Sequence, residues 1–217
     1  MKPLLFIPSP RDIPEVKESI SKLKIDKLWV KYHKQEEAYQ TARQWFLSPL
    51  LSHKQYTHLI IHPDDMLATQ RDLEYLLLSS SDSVMSGWCI NTIQDNWQEL
   101  NHTNMSYTIT WDTPRRKTYE SYNFIPVKDV IKLLQDGRAV IKVKFAGFAL
   151  QLIPRDIIEQ IPFSADHDCC VDTCFSLDCD VQGVDQFINL RVRTKHLKRK
   201  VDEIQTGKKE PKIIFET

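Results

Sequence analysis

The sequence lacks the features that mark membrane proteins and nucleic-acid-binding proteins. It contains no apolar run near the roughly 20 residues that span a bilayer, and the stretch Met1–Pro8 is too short for a signal peptide. Its 29 basic residues balance 29 acidic ones, so no overall field draws the chain onto nucleic acid or an anionic membrane. We therefore expect a cytoplasmic protein with no transmembrane segment and no nucleic-acid partner.

Cysteine is also sparse, and the number and spacing of the cysteines are a poor framework for disulfides. The count of five is odd. Cys89 stands alone, and the other four thiols are crowded together: Cys169, Cys170, Cys174 and Cys179. Disulfide frameworks use even numbers of spaced cysteines, so we expect core thiols in a reducing compartment. The alternative is a structural zinc site that includes His167 and His196, although the paired C-x-x-C spacing of such sites is absent.

Apolar runs alternate with amphipathic stretches in the first part of the chain. Residues 2–8, 28–30 and 57–61 have the composition of buried strands, whereas residues 14–23 and 36–51 have helical spacing. Such alternation predicts an α/β fold with a mostly parallel sheet flanked by helices. Ligands of such sheets gather at the carboxyl ends of the strands.

The later part of the chain continues this pattern after a polar interval. Before this interval, residues 73–78 belong to a predicted helix and residues 83–89 to a predicted strand. Residues 91–125 read as a partly mobile excursion. A predicted helix at 127–135 follows, and then strands at 140–144 and 186–192. The 217 residues suit one compact domain. We assign residues 1–200 to that domain and residues 201–217 to a basic tail or linker.

Two adjacent carboxylates, Asp64 and Asp65, directly follow the third predicted strand. Like charges this close are unfavourable unless a cation lies between them. Carboxylate oxygens suit magnesium or manganese, which complete their shells with water and substrate phosphates. The alternative is that one of the two caps a helix beginning near Met66.

Five segments in order resemble glycosyltransferases of the GT-A type, and the resemblance spans nearly the whole chain. They are Ile7–Arg11, Leu59–Leu67, Gly147–Asp156, Val171–Gly183 and Val192–Leu197. The first resembles the nucleotide-binding loop, the second the acidic metal motif, the third the acceptor-side segment, the fourth the acidic base motif and the last the closing strand. The resemblance implies a GT-A-like, Rossmann-like fold in a single domain.

The resemblance also implies site residues. Asp65 is the first candidate for a Mn²⁺ or Mg²⁺ ligand, with Asp64 and His196 beside it, because Pro63-Asp64-Asp65 is close to the E-D-D variant of the motif. His62 marks an alternative register. The base would be Asp172, or Asp168 because Val171 replaces a common glutamate. Candidates for binding the nucleotide sugar are Pro8, Ser9, Arg11, Tyr32, Arg43, Asp64, Trp88, Gly147 and Phe148.

Most of these candidates have an ordinary structural alternative. Arg11 fits a solvated turn as well as a phosphate contact, and Tyr32 fits a packing position at a strand end. Arg43 fits an exposed helix position, Trp88 fits the core, and His196 fits an exposed position before the basic run. Asp172 also suits the first turn of a helix as a plain cap.

The predicted function is metal-dependent transfer of a sugar from a UDP- or GDP-sugar to a hydroxyl of a glycan or glycoprotein, with inversion and an Asp base. One alternative is a non-catalytic nucleotide-binding module of the same fold. Another is a metal-dependent nucleotidyltransferase, but such enzymes carry a glycine-rich phosphate loop. Pro8-Ser9-Pro10-Arg11 contains no glycine, and the whole chain has only five.

Overall fold

A computed structural model describes residues 1–9, 11, 13–31, 35–48, 55–79, 82–91, 102–109, 123–164, 170–197 and 212–217. Within these ranges the helices are α1 (Pro14–Ser21), α2 (Gln35–Leu47), α3 (Gln70–Leu78), α4 (Val127–Gln135), α5 (Arg155–Gln160) and α6 (Val171–Val181). The strands are β1 (Pro3–Pro8), β2 (Lys27–Lys31), β3 (His58–Ile61), β4 (Met66–Leu67), β5 (Val84–Trp88), β6 (Ile90–Asn91), β7 (His102–Ser106), β8 (Phe124–Pro126), β9 (Val140–Val143), β10 (Phe145–Ala146), β11 (Gln151–Pro154), β12 (Gln186–Arg193), β13 (Lys195–His196) and β14 (Lys212–Glu216).

The central sheet has eight strands in the order β14-β2-β1-β3-β11-β5-β12-β9. Strands β2, β1, β3, β5 and β12 run in one direction, whereas β14, β11 and β9 run in the other. The reversed strand β11 lies between β3 and β5, so the sheet is mixed but mostly parallel. This arrangement confirms the predicted single-domain α/β fold.

Both faces of the sheet are buried, which explains the continuous apolar run of β1. Leu4 and Phe6 point into one hydrophobic cluster and Leu5 and Ile7 into another, all fully buried. Helices α2, α5 and α6 cover the first face, and α1 and α3 cover the second. A strand that is covered on both sides reads as uniformly apolar rather than alternating.

Local signals set several helix ends. Pro14 occupies the first position of α1, as its fixed φ favours. Helix α3 begins at Gln70, because Thr69 and Asp72 form a reciprocal capping box before its first turn. Helix α2 ends at Leu47 rather than at residue 51, since the residue before a proline, here Ser48 before Pro49, disfavours helical dihedrals.

Two regions differ from the sequence expectations. Part of the interval 91–125 belongs to a small sheet in which β7 pairs with β6, β8 and β10. Residues 212–216, which the sequence assigns to the tail, form β14, an edge strand of the central sheet that pairs with β2, while residues 201–211 lie outside the described ranges. No helix in the described part of the chain has both the length and the apolar composition needed to cross a bilayer.

Candidate active site

The candidate site lies beyond the carboxyl ends of β1 and β3, which are neighbours in the sheet. Phe6 of β1 pairs with Ile61 of β3, so the loops that follow these strands emerge side by side. Strand β11 runs antiparallel to β3 and begins at Gln151, opposite Ile61. The segment 147–150 that precedes β11 therefore lies beyond the same edge of the sheet.

Arg11 joins the two loops through Asp64. The backbone N–H of Arg11 donates to Asp64 Oδ2 at 3.0 Å, its Nε donates to the same oxygen at 3.3 Å, and its Nη2 donates to Oδ1 at 2.6 Å. The Nη2 atom is also 2.9 Å from Asp65 Oδ2. One guanidinium thus lies between both carboxylates, of which Asp64 is the more buried, with side-chain exposures of 6% for Asp64 and 19% for Asp65.

His196 lies beside Asp65, although 131 residues separate the two in the sequence. Strand β13 pairs with β4 so that His196 stands opposite Met66, and the N–H of Leu197 donates to the carbonyl of Asp65 at 2.7 Å. This ladder places His196 Nε2 3.3 Å from Asp65 Oδ2. The predicted metal-site residues Asp64, Asp65 and His196 are therefore brought together.

The two carboxylates have different electrostatic surroundings. Burial raises the pKa of Asp64 above its ordinary value, and the hydrogen bonds and charge of Arg11 offset only part of this effect. Burial also acts to raise the pKa of Asp65, but His196 and Arg11 outweigh it, so that pKa is lowered. Asp65 is therefore the carboxylate better held in its charged form.

We tested whether these side chains suit a divalent cation. Two donors about 2.1 Å from one Mg²⁺-like ion and at right angles to each other are about 3 Å apart, close to the 3.3 Å between Asp65 Oδ2 and His196 Nε2. Within the described residues no group of three or more His, Cys, Asp or Glu side chains is arranged to hold a metal, and both oxygens of Asp64 accept hydrogen bonds from Arg11. The residues fit a cation held by two side chains, with water and substrate oxygens as its other ligands.

Asp172 lies in the first turn of α6 and contacts the segment beyond the sheet. Its Oδ1 accepts the N–H of the next residue, Thr173, at 2.9 Å. The N-cap position of α6 belongs to Cys170, so the alternative interpretation of Asp172 as a plain helix cap is wrong. Its Oδ2 would lie 3.3 Å from a β-carbon added to Gly147. Burial raises the pKa of Asp172, and hydrogen bonds from the backbone of Thr173 and Phe148 lower it less. The carboxylate is thus placed beside Gly147 and holds a proton more readily than usual.

Pro8 and Ser9 form the start of the loop that carries Arg11. Pro8 is the last residue of β1. The backbone N–H of Ser9 donates to the carbonyl of Val30, and its hydroxyl donates to the carbonyl of Arg11 at 2.9 Å. Both residues therefore shape the loop.

Three other predicted binding residues have structural roles in the fold. Trp88 is 4% exposed, and its Nε1 donates to the carbonyl of Leu190 at 2.9 Å. The ring of Phe148, 6% exposed, stacks on Tyr39 in the core. Arg43 donates to the carbonyls of Ile158 and Glu159 and so joins α2 to the end of α5. Tyr32 and Asp168 lie outside the described residues.

Asn104 is a site-forming residue that the sequence reasoning missed. Its side chain accepts the N–H of Cys89 and donates to the carbonyl of Gly147, both at 2.8 Å. Its own carbonyl accepts the N–H of Gly147, also at 2.8 Å. Asn104 therefore fixes the segment beside Asp172. No local motif marks it, since it lies in β7 within the polar interval.

No protein-family model and no curated protein matches this sequence. Solved structures do resemble it. A197 from STIV shares 16% identity with a TM-score of 0.52, over 87% of this chain and 81% of A197. GalNAc-T7, solved with UDP, GalNAc and Mn²⁺, shares 11% identity with a TM-score of 0.56, over 92% of this chain.

This chain spans only 44% of the GalNAc-T7 chain. The inositol-1-phosphate CTP transferase from T. maritima shares 10% identity over 93% of this chain and 91% of its own, with a TM-score of 0.46 that is too low to carry an argument. At these identities the likeness concerns the fold alone. The mixed sheet and its neighbours show that the chain has a GT-A-like fold.

Proposed function

We propose that this chain is a metal-dependent glycosyltransferase, which moves a sugar from a UDP- or GDP-sugar to a hydroxyl of a glycan or glycoprotein. The observation that carries the proposal is the pair Asp65 and His196, 3.3 Å apart beyond the carboxyl end of β3. In a GT-A-like fold this edge of the sheet is where ligands gather. GalNAc-T7, which shares the fold, was solved with UDP, GalNAc and Mn²⁺.

The charges of the site support a need for an added cation. Asp64 and Asp65 contribute two negative charges, and Arg11 contributes one positive charge between them. A diphosphate approaching this group meets no net positive charge from these three residues. A bound Mn²⁺ or Mg²⁺ would neutralise the charge that develops on the departing nucleoside diphosphate.

Each group of residues in the site would have a separate role. Asp65 and His196 would hold the cation, and the loop from Pro8 through Arg11 would lie against the donor. Asp172 would accept the proton of the acceptor hydroxyl, a role worth about 10²- to 10⁴-fold in rate, and its raised pKa suits a proton acceptor. Attack from the face opposite the leaving group would invert the anomeric centre. Asp168 remains the alternative base.

Product analysis tests this proposal. The purified chain is incubated with UDP- and GDP-sugars and a glycan or glycoprotein acceptor, and separately with nucleoside triphosphates and sugar phosphates, in Mn²⁺, Mg²⁺ or EDTA. Products are identified by mass spectrometry. We expect nucleoside diphosphate and a glycosylated acceptor or free sugar, in metal only and not with Asp65→Asn. Release of pyrophosphate from a nucleoside triphosphate would instead indicate a nucleotidyltransferase. Binding of a nucleotide sugar without any product would indicate a non-catalytic module.

A further inference from the structure

Arg11 occupies the position that a cation would share. Its Nη2 is 2.9 Å from Asp65 Oδ2, the same oxygen that lies 3.3 Å from His196 Nε2. A metal bound between that oxygen and that nitrogen would lie a few ångströms from the guanidinium. Both are positive, and at such distances in a partly buried site the repulsion is strong. The metal and this position of Arg11 are therefore competitors.

The contacts of Arg11 divide into a fixed part and a movable part. Its backbone N–H is bound to Asp64 Oδ2 at 3.0 Å, and its carbonyl accepts the hydroxyl of Ser9 at 2.9 Å. These two backbone bonds do not depend on where the side chain points. The movable part is the guanidinium, which donates from Nε and Nη2 to Asp64 and lies 2.9 Å from Asp65 Oδ2. The guanidinium is 21% exposed, so it has an open side toward which it can turn.

From this geometry we infer that Arg11 is an exchangeable internal cation, an inference that rests on the proposed function. Without ligands its guanidinium neutralises Asp64 and Asp65. When a divalent cation binds Asp65 and His196, the guanidinium leaves Asp65 and forms a bidentate pair with the donor's diphosphate. Guanidinium geometry suits phosphate oxygens as well as carboxylates, so the released side chain gains a new partner only when nucleotide is present.

The exchange couples the two ligands. Metal alone must displace Arg11 from Asp65 and leave it only its contacts with Asp64. Nucleoside diphosphate alone must draw Arg11 away from Asp65 and leave that carboxylate with His196 as its remaining contact among these residues. When both ligands bind, each removes the unfavourable free-energy contribution that the other would meet alone. Thermodynamic linkage requires that Mn²⁺ tighten UDP binding by the same factor by which UDP tightens Mn²⁺ binding. We expect a factor of at least tenfold.

Removing the guanidinium should change the affinities for Mn²⁺ and for UDP in opposite directions. In Arg11→Gln no side-chain cation competes for Asp65, so Mn²⁺ alone should bind at least threefold more tightly than in the parent. UDP at saturating Mn²⁺ should bind more weakly, because its guanidinium partner is lost. Arg138→Gln removes the same charge from an exposed turn after α4 and should change neither affinity by more than twofold.

The measurement is isothermal titration calorimetry with Mn²⁺ alone, UDP alone and each in the presence of the other, for the parent, Arg11→Gln and Arg138→Gln. Repeating it in about 0.5 M NaCl separates the effect of a charge in direct contact from that of distant charges, since charges more than about 10 Å apart are screened there. The tighter binding of Mn²⁺ by Arg11→Gln should persist at this salt concentration. If Arg11→Gln does not fold, Arg11→Lys keeps the charge without the bidentate geometry and should show both effects in smaller measure.

Equal or weaker Mn²⁺ binding by the variant, or independent binding of Mn²⁺ and UDP in the parent, would overturn the exchange. Failure of the exchange and failure of the proposed function are distinguishable. Sugar transfer with independent binding refutes only the exchange, whereas coupled binding without turnover on any nucleotide sugar refutes only the glycosyltransferase proposal.

Discussion

Asp64 and Asp65 are neighbours in sequence with different surroundings. Asp64 is nearly buried and receives three hydrogen bonds from Arg11, whereas Asp65 is more exposed and faces His196. Asp64 therefore fixes the loop, and Asp65 is the carboxylate open to an added ligand. Substitution of Asp65 should therefore affect ligand binding, whereas substitution of Asp64 should affect stability.

Asp65→Asn should abolish metal-dependent nucleotide binding and leave the fold intact, because Arg11 retains both oxygens of Asp64. Asp64→Asn should instead lower the free energy of unfolding by about 1–2 kcal/mol, because the charge-assisted hydrogen bonds from Arg11 to Asp64 are weakened, while Arg11 keeps its contact with Asp65. Urea denaturation and Mn²⁺ titration measure both effects. Asp136→Asn, at an exposed position after α4, serves as the control. Parental Mn²⁺ and UDP affinity in Asp65→Asn would remove Asp65 from the metal site.

Asp172 should reveal its raised pKa through the pH dependence of stability. A raised pKa in the fold gives stability that is fully present below the unfolded value of about 3.9 and is lost as pH rises through the folded pKa. The Asp172→Asn variant has no such loss. The free energy of unfolding of the parent, minus that of the variant, should therefore fall as pH rises above the unfolded value of about 3.9.

Turnover separates the two roles of Asp172. A lost general base lowers the rate by about 10²-fold or more at unchanged donor affinity, whereas a purely structural role through the contact with Thr173 would leave the rate almost unchanged. Both are measured on the same Asp172→Asn preparation. A rate within threefold of the parent, with donor affinity unchanged, would remove Asp172 from the mechanism.

Sequence alone identified some of these side chains but not their contacts. Asp64 and Asp65 were predictable because they directly follow a buried strand. The pairing of Arg11 with Asp64 was not, since 53 residues separate the two and no local pattern encodes the contact. Asn104 was missed for the same reason, because it acts through the backbone of Gly147 and Cys89.

At the scale of elements, close backbone packing behind the site depends on Gly87 near the end of β5. A β-carbon at this position would lie 2.6 Å from Val192 Cγ1, 2.7 Å from the Ala149 carbonyl and 2.9 Å from the Val192 carbonyl. Two of these atoms belong to the backbone and cannot rotate away. The segment 147–150 and strand β12 can approach β5 only because residue 87 is glycine.

Gly87→Ala should therefore lower the free energy of unfolding by about 1–3 kcal/mol through overpacking and weaken joint binding of Mn²⁺ and UDP by displacing the site segment. Gly137→Ala provides the matched change. Gly137 has a φ of 80° and open space around it, so its substitution costs about 1 kcal/mol of backbone strain only. Thermal denaturation and calorimetry check both variants, and parental stability in Gly87→Ala would contradict the packing described here.

The elements that sequence predicts well are those with local signals. Strands β1, β2 and β3 are continuous apolar runs, and α1 begins at a proline. Strand β14 was missed because it follows a basic, polar stretch, and it is a strand only through its pairing with the distant β2. The small sheet around β7 likewise depends on partners far apart in the chain.

For the whole molecule, equal numbers of acidic and basic residues leave local charge to decide ligand binding. The described site combines two carboxylates with one guanidinium, so it should favour a cation and a diphosphate together over either alone. A ligand that binds only the folded state at 100 times its dissociation constant adds about 2.7 kcal/mol to the free energy of unfolding. In a protein of this size that amounts to a rise of roughly 5–10 °C in Tm.

A thermal-denaturation series with UDP- and GDP-sugars, each with Mn²⁺ and with EDTA, tests the central claim most directly. We predict that one nucleotide sugar raises Tm by about 5–10 °C with Mn²⁺, by far less with EDTA, and not at all in Asp65→Asn. Equal stabilisation with EDTA, an undiminished response in Asp65→Asn, or no response to any nucleotide sugar would contradict a metal-dependent nucleotide-sugar site at Asp65 and His196.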